Sequence, residues 1–249
     1  MKALLPQTLT HLVTGILIRL FWFYENTIDI RAYGMENLRL NRRAGLRPML
    51  TLWHGKGFLP IAYFHNEQLC LYASHARDPG YSRWLKLFRL LTLRMIERMG
   101  YMVMDASQFA SEARGVLKYV QILREERGGA IAADGPQGPI YQAKPGACFL
   151  AKKSGVMILP VGSAIESGVR LDQWDAFEIP YPFTRAVIVV EEPILVPADA
   201  ADAELERKRL EVEAALNRAT RAAESRLKAF RKSAEVRPQP SPARQALPE

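Results

Sequence analysis

The sequence predicts an α/β fold, a single domain whose mixed, mainly parallel sheet is flanked by helices and preceded by a helix suited to a membrane interface. Three observations predict it. Short apolar runs rich in β-formers recur between residues 28 and 195. Segments with helical spacing alternate with them, as they do when helices cover both faces of a sheet. At 249 residues, 49% hydrophobic and 24% charged, the chain is long enough to bury one large core. The expected divisions are an N-terminal helix over 1–25, an α/β domain over 26–198, a charged C-terminal helix over 199–232 and a disordered tail over 233–249, where Pro, Gln, Ser, Arg and Ala take over. No internal repeat is evident.

The first segment is the most apolar. Leu9, Leu12, Val13, Ile16, Leu17, Leu20, Phe21 and Tyr24 follow helical spacing, and aromatics close the run where an interfacial belt would sit. It is too short, and too interrupted by Arg19, to span a bilayer, which takes about 20 apolar residues. An in-plane membrane helix fits; a core helix and a signal sequence are the alternatives, although no small-residue cleavage site follows.

Ile28 to Tyr33 alternates and closes on Gly34, as a strand with one wet face does. Arg42, Arg43 and Arg47 read as a basic loop. Pro48 to Trp53 is the length of a buried strand and delivers His54 to its carboxyl end, followed by Gly55-Lys56-Gly57. In open α/β sheets ligands and catalytic groups gather at that edge; otherwise His54 is a hydrogen-bonded loop residue. Leu69 to Ala73 is a second apolar run, ending in Ser74-His75-Ala76-Arg77-Asp78-Pro79-Gly80. Asp78 is either a turn former or, at the same kind of strand end as His54, a second candidate functional group.

A helix over Tyr81 to Met99 carries Trp84, Phe88, Leu91, Met95 and Met99 on one stripe and Arg83, Lys86, Arg94 and Arg98 on another. Tyr101 to Met104 is a strand, and a further helix starts near Ser111 and runs to Gly128-Gly129. Then Ala130 to Ala133 delivers Asp134 to a strand end, and Gly135-Pro136-Gln137-Gly138-Pro139 wraps the backbone with few side chains in the way. Such a loop can turn N–H groups toward an anion with Lys144 as a nearby point charge, or it is an ordinary tight loop. A short helix over Gly146 to Lys153, a strand over Val156 to Pro160 with Val161-Gly162-Ser163 as its exit, an irregular Pro-rich piece at Ile179 to Pro182 after Trp174-Asp175, and a strand over Arg185 to Val190 complete the domain. Ala200 to Arg231 is helical by propensity, with a thin apolar stripe that predicts light packing.

A formal net charge of +8 and a pI near 9.6 point to anionic partners. No common nucleic-acid motif is visible, so nucleic acid is not among the expected partners. Cys70 and Cys148 offer neither a disulfide framework nor metal-ligand spacing, read as buried small hydrophobes, and suit a reducing compartment.

The order Leu-Trp-His-Gly, Ser74-x-x-Arg77-Asp78, Asp134-Gly135-Pro136-Gln137-Gly138-Pro139 with Lys144-Pro145-Gly146, then Leu-Ala-Lys-Lys-Ser-Gly and Leu159-Pro160-Val161-Gly162 resembles the lysophospholipid acyltransferase superfamily. It is similar to the bacterial branch long labelled a domain of unknown function, over residues 25 to 197. The resemblance implies a glycerol-phosphate acyltransferase-like fold and His54 as general base. It further implies an acceptor site at Arg77, Asp134, Gly135, Pro136, Gly138 and Lys144. Leu59 stands five positions after His54, where the superfamily's usual carboxylate would be, and Gln137 stands where related sequences often carry Arg, which removes a bidentate cation. The resemblance to this branch implies that the carboxylate comes from the Ser74-x-x-Arg77-Asp78 loop instead, which makes Asp78 the expected partner of His54, with Glu67 and Asp134 in reserve.

The implied reaction moves a fatty acyl chain from a coenzyme A or acyl carrier protein thioester, a co-substrate, to a lipid hydroxyl; it needs no resident cofactor and no metal. A neutral imidazole has a pKa suited to taking the hydroxyl proton, a carboxylate on its other nitrogen fixes the tautomer, and N–H groups near Gly55 or Gly135 could hold the oxyanion. Partners are then a lipid acceptor, the acyl donor and an anionic membrane surface, at the cytoplasmic face of the inner membrane. A non-catalytic lipid-binding protein and a lipid or thioester hydrolase are the alternatives.

Overall fold

A central strand, β2 (Met49–Leu52), is buried along its whole length between β6 (Ile158–Ile165) and β5 (Gly129–Ala132). Outward lie β3 (Cys70–Ala73) and β4 (Met102–Asp105) on one side, β9 (Arg185–Val190) and β1 (Asp29–Tyr33) on the other, in the order β1-β9-β6-β2-β5-β3-β4. The computed structural model describes residues 7–43, 47–73, 83–105, 109, 111–125 and 127–235. Every neighbouring pair is parallel except β6 with β9. The carboxyl ends of β2 to β6 therefore share one edge, where the loops are long enough to build a site.

Side chains alternate across the sheet with a period of two. Met49 and Ile158 face α5 (Glu112–Glu125), α6 (Gly146–Ser154) and α7 (Asp202–Glu235), among Tyr119, Leu150 and Leu216. Leu50 and Leu159 face α1 (Gln7–Glu25), α2 (Met35–Arg43), α3 (Phe58–Tyr63) and α4 (Arg83–Arg98), among Ile18, Leu38, Phe64 and Met99. Both cysteines are buried and free, and burial pushes the Cys148 thiol up to about 11.

Four expectations change. Arg42 and Arg43 lie in helix α2 rather than in a basic loop, and α3 follows directly on the His54 stretch. The strand after Val156 does not exit at Val161; it continues to Ile165 because β9 pairs with its second half, from Val161 to Ile165. The piece around Ile179 is not irregular: β7 (Gly168–Arg170) and β8 (Glu178–Pro180) form an antiparallel hairpin inserted between β6 and β9. Finally, α7 packs tightly. Its buried stripe is Val212, Ala215, Leu216, Ala219, Ala223, Leu227 and Phe230, and the alanines let it approach β6 so closely that a Cβ on Gly162 would stand 2.3 Å from the Ala219 carbonyl carbon. Small residues on a helix face are packing residues when a glycine faces them, which a count of large apolar residues overlooks.

Helix α1 divides its two faces. Thr14 and Ile18 are buried, and Phe21, Trp22 and Tyr24 pack against the core, while Leu9, Leu12, Ile16, Leu20 and Phe23 form an exposed apolar stripe. Among the described residues, no helix is long and apolar enough to cross a membrane.

Candidate active site

The site is built at the carboxyl edge, where β2 and β5 end side by side. The Ala133 N–H donates to the Leu52 carbonyl at 2.8 Å, and the His54 N–H donates to Asp134 Oδ1 at 2.9 Å, so the two strand ends are stitched together just before the chain turns. His54 to Lys56 then form one 3₁₀ turn, closed by the Gly57 N–H on the His54 carbonyl at 3.0 Å. His54 Nδ1 lies 2.5 Å from Asp175 Oδ2. The Asp175 side chain is 1% exposed and that of His54 is 44% exposed, so the carboxylate is sealed beneath a ring that faces outward.

Asp175 arrives on the loop between β7 and β8, a short excursion that leaves β6 at the same edge. The Leu171 N–H on the Phe177 carbonyl and the Ala176 N–H on the Gln173 carbonyl, both 3.0 Å, tighten this loop, and Ala176 adopts φ 48°. Two motif glycines exist to receive it. A Cβ on Gly55 would stand 1.9 Å from the Asp175 carbonyl oxygen, and one on Gly138 would stand 2.6 Å from the Trp174 ring. Trp174 in turn lies 5.5 Å from the His54 ring, and Phe177 lies 6.0 Å from it. The His-Gly turn, the Asp-Gly-Pro loop and the hairpin loop thus meet around one imidazole.

With Nδ1 bonded to an acidic group, that nitrogen carries the ring proton and Nε2 presents its lone pair. Nε2 has no hydrogen bond to any described residue. A buried carboxylate on Nδ1 favours the imidazolium that forms when Nε2 accepts a proton, which is the arrangement of a general base.

No protein-family profile matches the sequence. Over 69 residues the chain is 33% identical to an uncharacterised protein of Rickettsia prowazekii (strain Madrid E); that stretch is 28% of this chain and 32%, about a third, of the other. The backbone is similar to the crystal structure of the 1-acyl-sn-glycerophosphate (LPA) acyltransferase PlsC from Thermotoga maritima, with a TM-score of 0.51 and 13% identity over 85% of this chain and 81% of that one. The chain has the fold of that acyltransferase.

The other expected site residues fall differently. Arg77 and Asp78 lie outside the described residues; within them, Asp175 is the carboxylate on Nδ1. Glu67 precedes β3 at the amino edge of the sheet, opposite to His54. Asp134, expected to bind substrate, is fully buried; its Oδ1 accepts the His54 backbone N–H, and its Oδ2 is buried with no hydrogen-bond partner among the described residues. Gly135 and Gly138 adopt φ 68° and 66°, as tight glycine turns do, but the Gly135 N–H is spent on the Ala132 carbonyl at 3.4 Å, which argues against its serving an oxyanion. Pro136 and Lys144 are exposed, and Gly138 is buried under Trp174. Helix α7 fixes the end of this loop: Glu213 accepts the Ala143 N–H at 2.9 Å and Arg209 donates to the Ala143 carbonyl at 2.9 Å. No group of three or more His, Cys, Asp or Glu among the described residues is arranged to hold a metal ion.

Sequence reasoning passed over Asp175 because no motif surrounds it. The available signal was positional: once β6 is placed parallel to β2, any acid in the loop leaving β6 reaches the edge where His54 stands.

Burial raises the Asp134 carboxyl above its ordinary range, against the opposing pull of the His54 and Tyr141 backbone and the His54 charge. A raised folded-state pKa contributes stability that is complete below the unfolded carboxylate range and is lost as pH rises through the folded value. Asp134→Asn keeps an acceptor for the His54 N–H without the charge. Its melting temperature relative to the parent is expected to move in the variant's favour as pH rises from about 4 to about 8; a pH-independent difference in a melting series across that range would contradict this.

Proposed function

We propose that the protein is a membrane-associated acyltransferase, moving a fatty acyl chain from a coenzyme A or acyl carrier protein thioester to a hydroxyl of a lysophospholipid or related lipid. The observation that carries this reading is the Asp175–His54 bond, which leaves Nε2 free on an outward-facing ring at the edge where this fold places ligands. The acyltransferase fold supports the class of reaction. In this mechanism Nε2 takes the proton of the lipid hydroxyl as its oxygen attacks the thioester carbonyl. The tetrahedral intermediate then collapses, breaking the carbon–sulfur bond, and the imidazolium returns the proton to the leaving thiolate. Asp175 offsets the imidazolium charge throughout.

The surroundings suit an apolar substrate. Rings follow one another from His54 through Phe177 and Phe58 to Phe21 and Tyr24 of α1, with centroids 6.0 to 6.5 Å apart. In this reading the exposed stripe of α1 rests in the headgroup region, with Arg19 beside it for anionic lipid, at the cytoplasmic face of the inner membrane. Ile16→Glu with Leu20→Glu, both on that stripe, is expected to abolish flotation with anionic phospholipid vesicles while leaving the melting temperature unchanged; retained flotation would remove the membrane role of α1.

The reaction is tested by supplying labelled acyl-coenzyme A and acyl carrier protein thioesters with total lipid extract and following the label by mass spectrometry. The parent protein is expected to transfer label to a lipid, and His54→Ala to lose about 10²–10⁴ of that rate. Release of free fatty acid alone would make the protein a hydrolase. Absence of turnover with any donor would leave a lipid-binding protein.

A further inference from the structure

Three successive residues of the His54 turn meet the β7–β8 hairpin. His54 holds the Asp175 carboxylate on Nδ1, Gly55 lies against the Asp175 carbonyl, and Lys56 Nζ donates to Glu178 Oε1 at 2.7 Å. The turn itself is fixed to the sheet: Ser163 of β6 donates from Oγ to the Lys56 carbonyl at 3.1 Å, and Asp134 beyond β5 accepts the His54 N–H. The hairpin has less to hold it. Its strands are three residues each and form a separate two-stranded sheet, which is marginally stable without further contacts. Its base is tied down, with the Pro180 carbonyl accepting from Tyr24 Oη at 2.5 Å and Ser167 Oγ 2.9 Å from Thr184 Oγ1. From Arg170 to Glu178, toward the tip, two side-chain bonds to the rest of the chain are made among the described residues: His54 to Asp175 and Lys56 to Glu178.

The Lys56 and Glu178 side chains are 6% and 7% exposed. A buried ion pair adds little net stability, because desolvating both charges offsets their attraction; its best-attested use is to fix a register. A directional bond does here what apolar packing would not. The pair borders a cavity of about 250 Å³, so close packing on that side does not hold the hairpin in place. Arg170 approaches the same Glu178 oxygen at 3.0 Å from the exposed side, so Glu178 keeps a cation when Lys56 is replaced. Glu166, Glu224, Lys228 and Arg231 also face the cavity.

We propose that Lys56 and Glu178 are positioning residues for the general base: their bond sets how closely the hairpin tip approaches the turn and so keeps Asp175 Oδ2 on His54 Nδ1. The two bonds start two residues apart on the turn and end three residues apart on the hairpin, so a shift of the tip that stretches one stretches the other. The pair acts through Asp175 rather than on substrate. The inference rests on the acyltransferase reading for what the base does, but not for the geometry that the pair maintains.

The test uses the full chain as the parent, Lys56→Met, Lys56→Met with Glu178→Leu, and Lys56→Arg. It reads the Nδ1 proton resonance of His54, kcat and KM for labelled acyl transfer, and the melting temperature. Methionine keeps most of the volume of the lysine stem; Arg170 still pairs with Glu178 in the single variant, and the double variant buries no carboxylate there, so both should fold. Both are expected to lose the deshielded Nδ1 resonance and about tenfold or more in kcat, with KM within about twofold of the parent. Lys56→Arg keeps the charge and the donors, the cavity has room for its guanidinium, and it is expected to recover both. Parent-like resonance and rate in the methionine variants would reduce the pair to a structural contact and overturn the proposal, as would a lost rate with the resonance intact. Unfolding of both methionine variants would make the pair a stability element and overturn it too. If the parent itself transfers no acyl group, the acyltransferase reading falls and the resonance alone decides the proposal.

Discussion

Asp175→Asn is expected to lower acyl transfer by about 10²–10⁴-fold while leaving the melting temperature unchanged or slightly raised. The carboxylate accepts from Nδ1–H, which keeps the lone pair on Nε2; an asparagine can present its NH₂ to Nδ1 instead and favour the tautomer protonated at Nε2, which cannot act as a base. The neutral side chain also leaves the imidazolium without its counter-charge. Stability should not suffer, because the other carboxylate oxygen, Oδ1, is buried without a hydrogen-bond partner and neutralisation removes a desolvated charge. Rates of labelled acyl transfer beside melting curves check both halves. A variant within a few fold of the parent rate would remove Asp175 from the mechanism.

Gly55→Ala is expected to fall nearly as far in activity, and to lose stability as well. Its methyl would stand 1.9 Å from the Asp175 carbonyl oxygen and 3.0 Å from the carbonyl carbon, so the hairpin loop must retreat by more than an ångström. Retreat stretches a 2.5 Å bond past hydrogen-bonding range, and misplacement of that size costs about 10²-fold in rate. The overpacking itself costs about 1–3 kcal/mol, read as a lower melting temperature. Gly57, two residues on, is the internal contrast: a methyl there would meet the His54 carbonyl oxygen at 3.1 Å and the Leu52 side chain at 3.3 Å, a smaller intrusion that leaves Asp175 untouched. Gly57→Ala should therefore retain most activity. Equal losses at the two glycines would contradict this account of Gly55.

The parts of the site carried by regular strands were legible in the sequence. Apolar runs ending at His54 and Asp134 predicted two parallel strands whose carboxyl ends share an edge, and the hydrogen bond between those residues expresses that register. The Asp-Gly-Pro loop read as tightly wrapped backbone with few side chains in the way, but the sequence did not show that at Gly55 and Gly138 the space is filled by the hairpin loop. Asp175 itself was illegible because strands β7 and β8 are too short for a period to emerge and because its partner is 121 residues away. Asp78 was favoured because the resemblance implies a carboxylate from its loop, and it lies outside the described residues. The tight seating of α7 was hidden for a different reason, since its contact with Gly162 is made by Ala219 and the Thr220 backbone, and an alanine also looks like a plain helix former.

The pairing of His54 with Asp175 is tested most directly by nuclear magnetic resonance of the ring nitrogens in protein labelled at histidine, with His54→Ala identifying the signals. The account predicts that neutral His54 carries its proton on Nδ1, in a strongly deshielded hydrogen bond, and that Asp175→Asn abolishes that signal and moves the proton toward Nε2. A parent protein whose neutral His54 is protonated on Nε2, or whose Nδ1 proton is indifferent to Asp175→Asn, would contradict it.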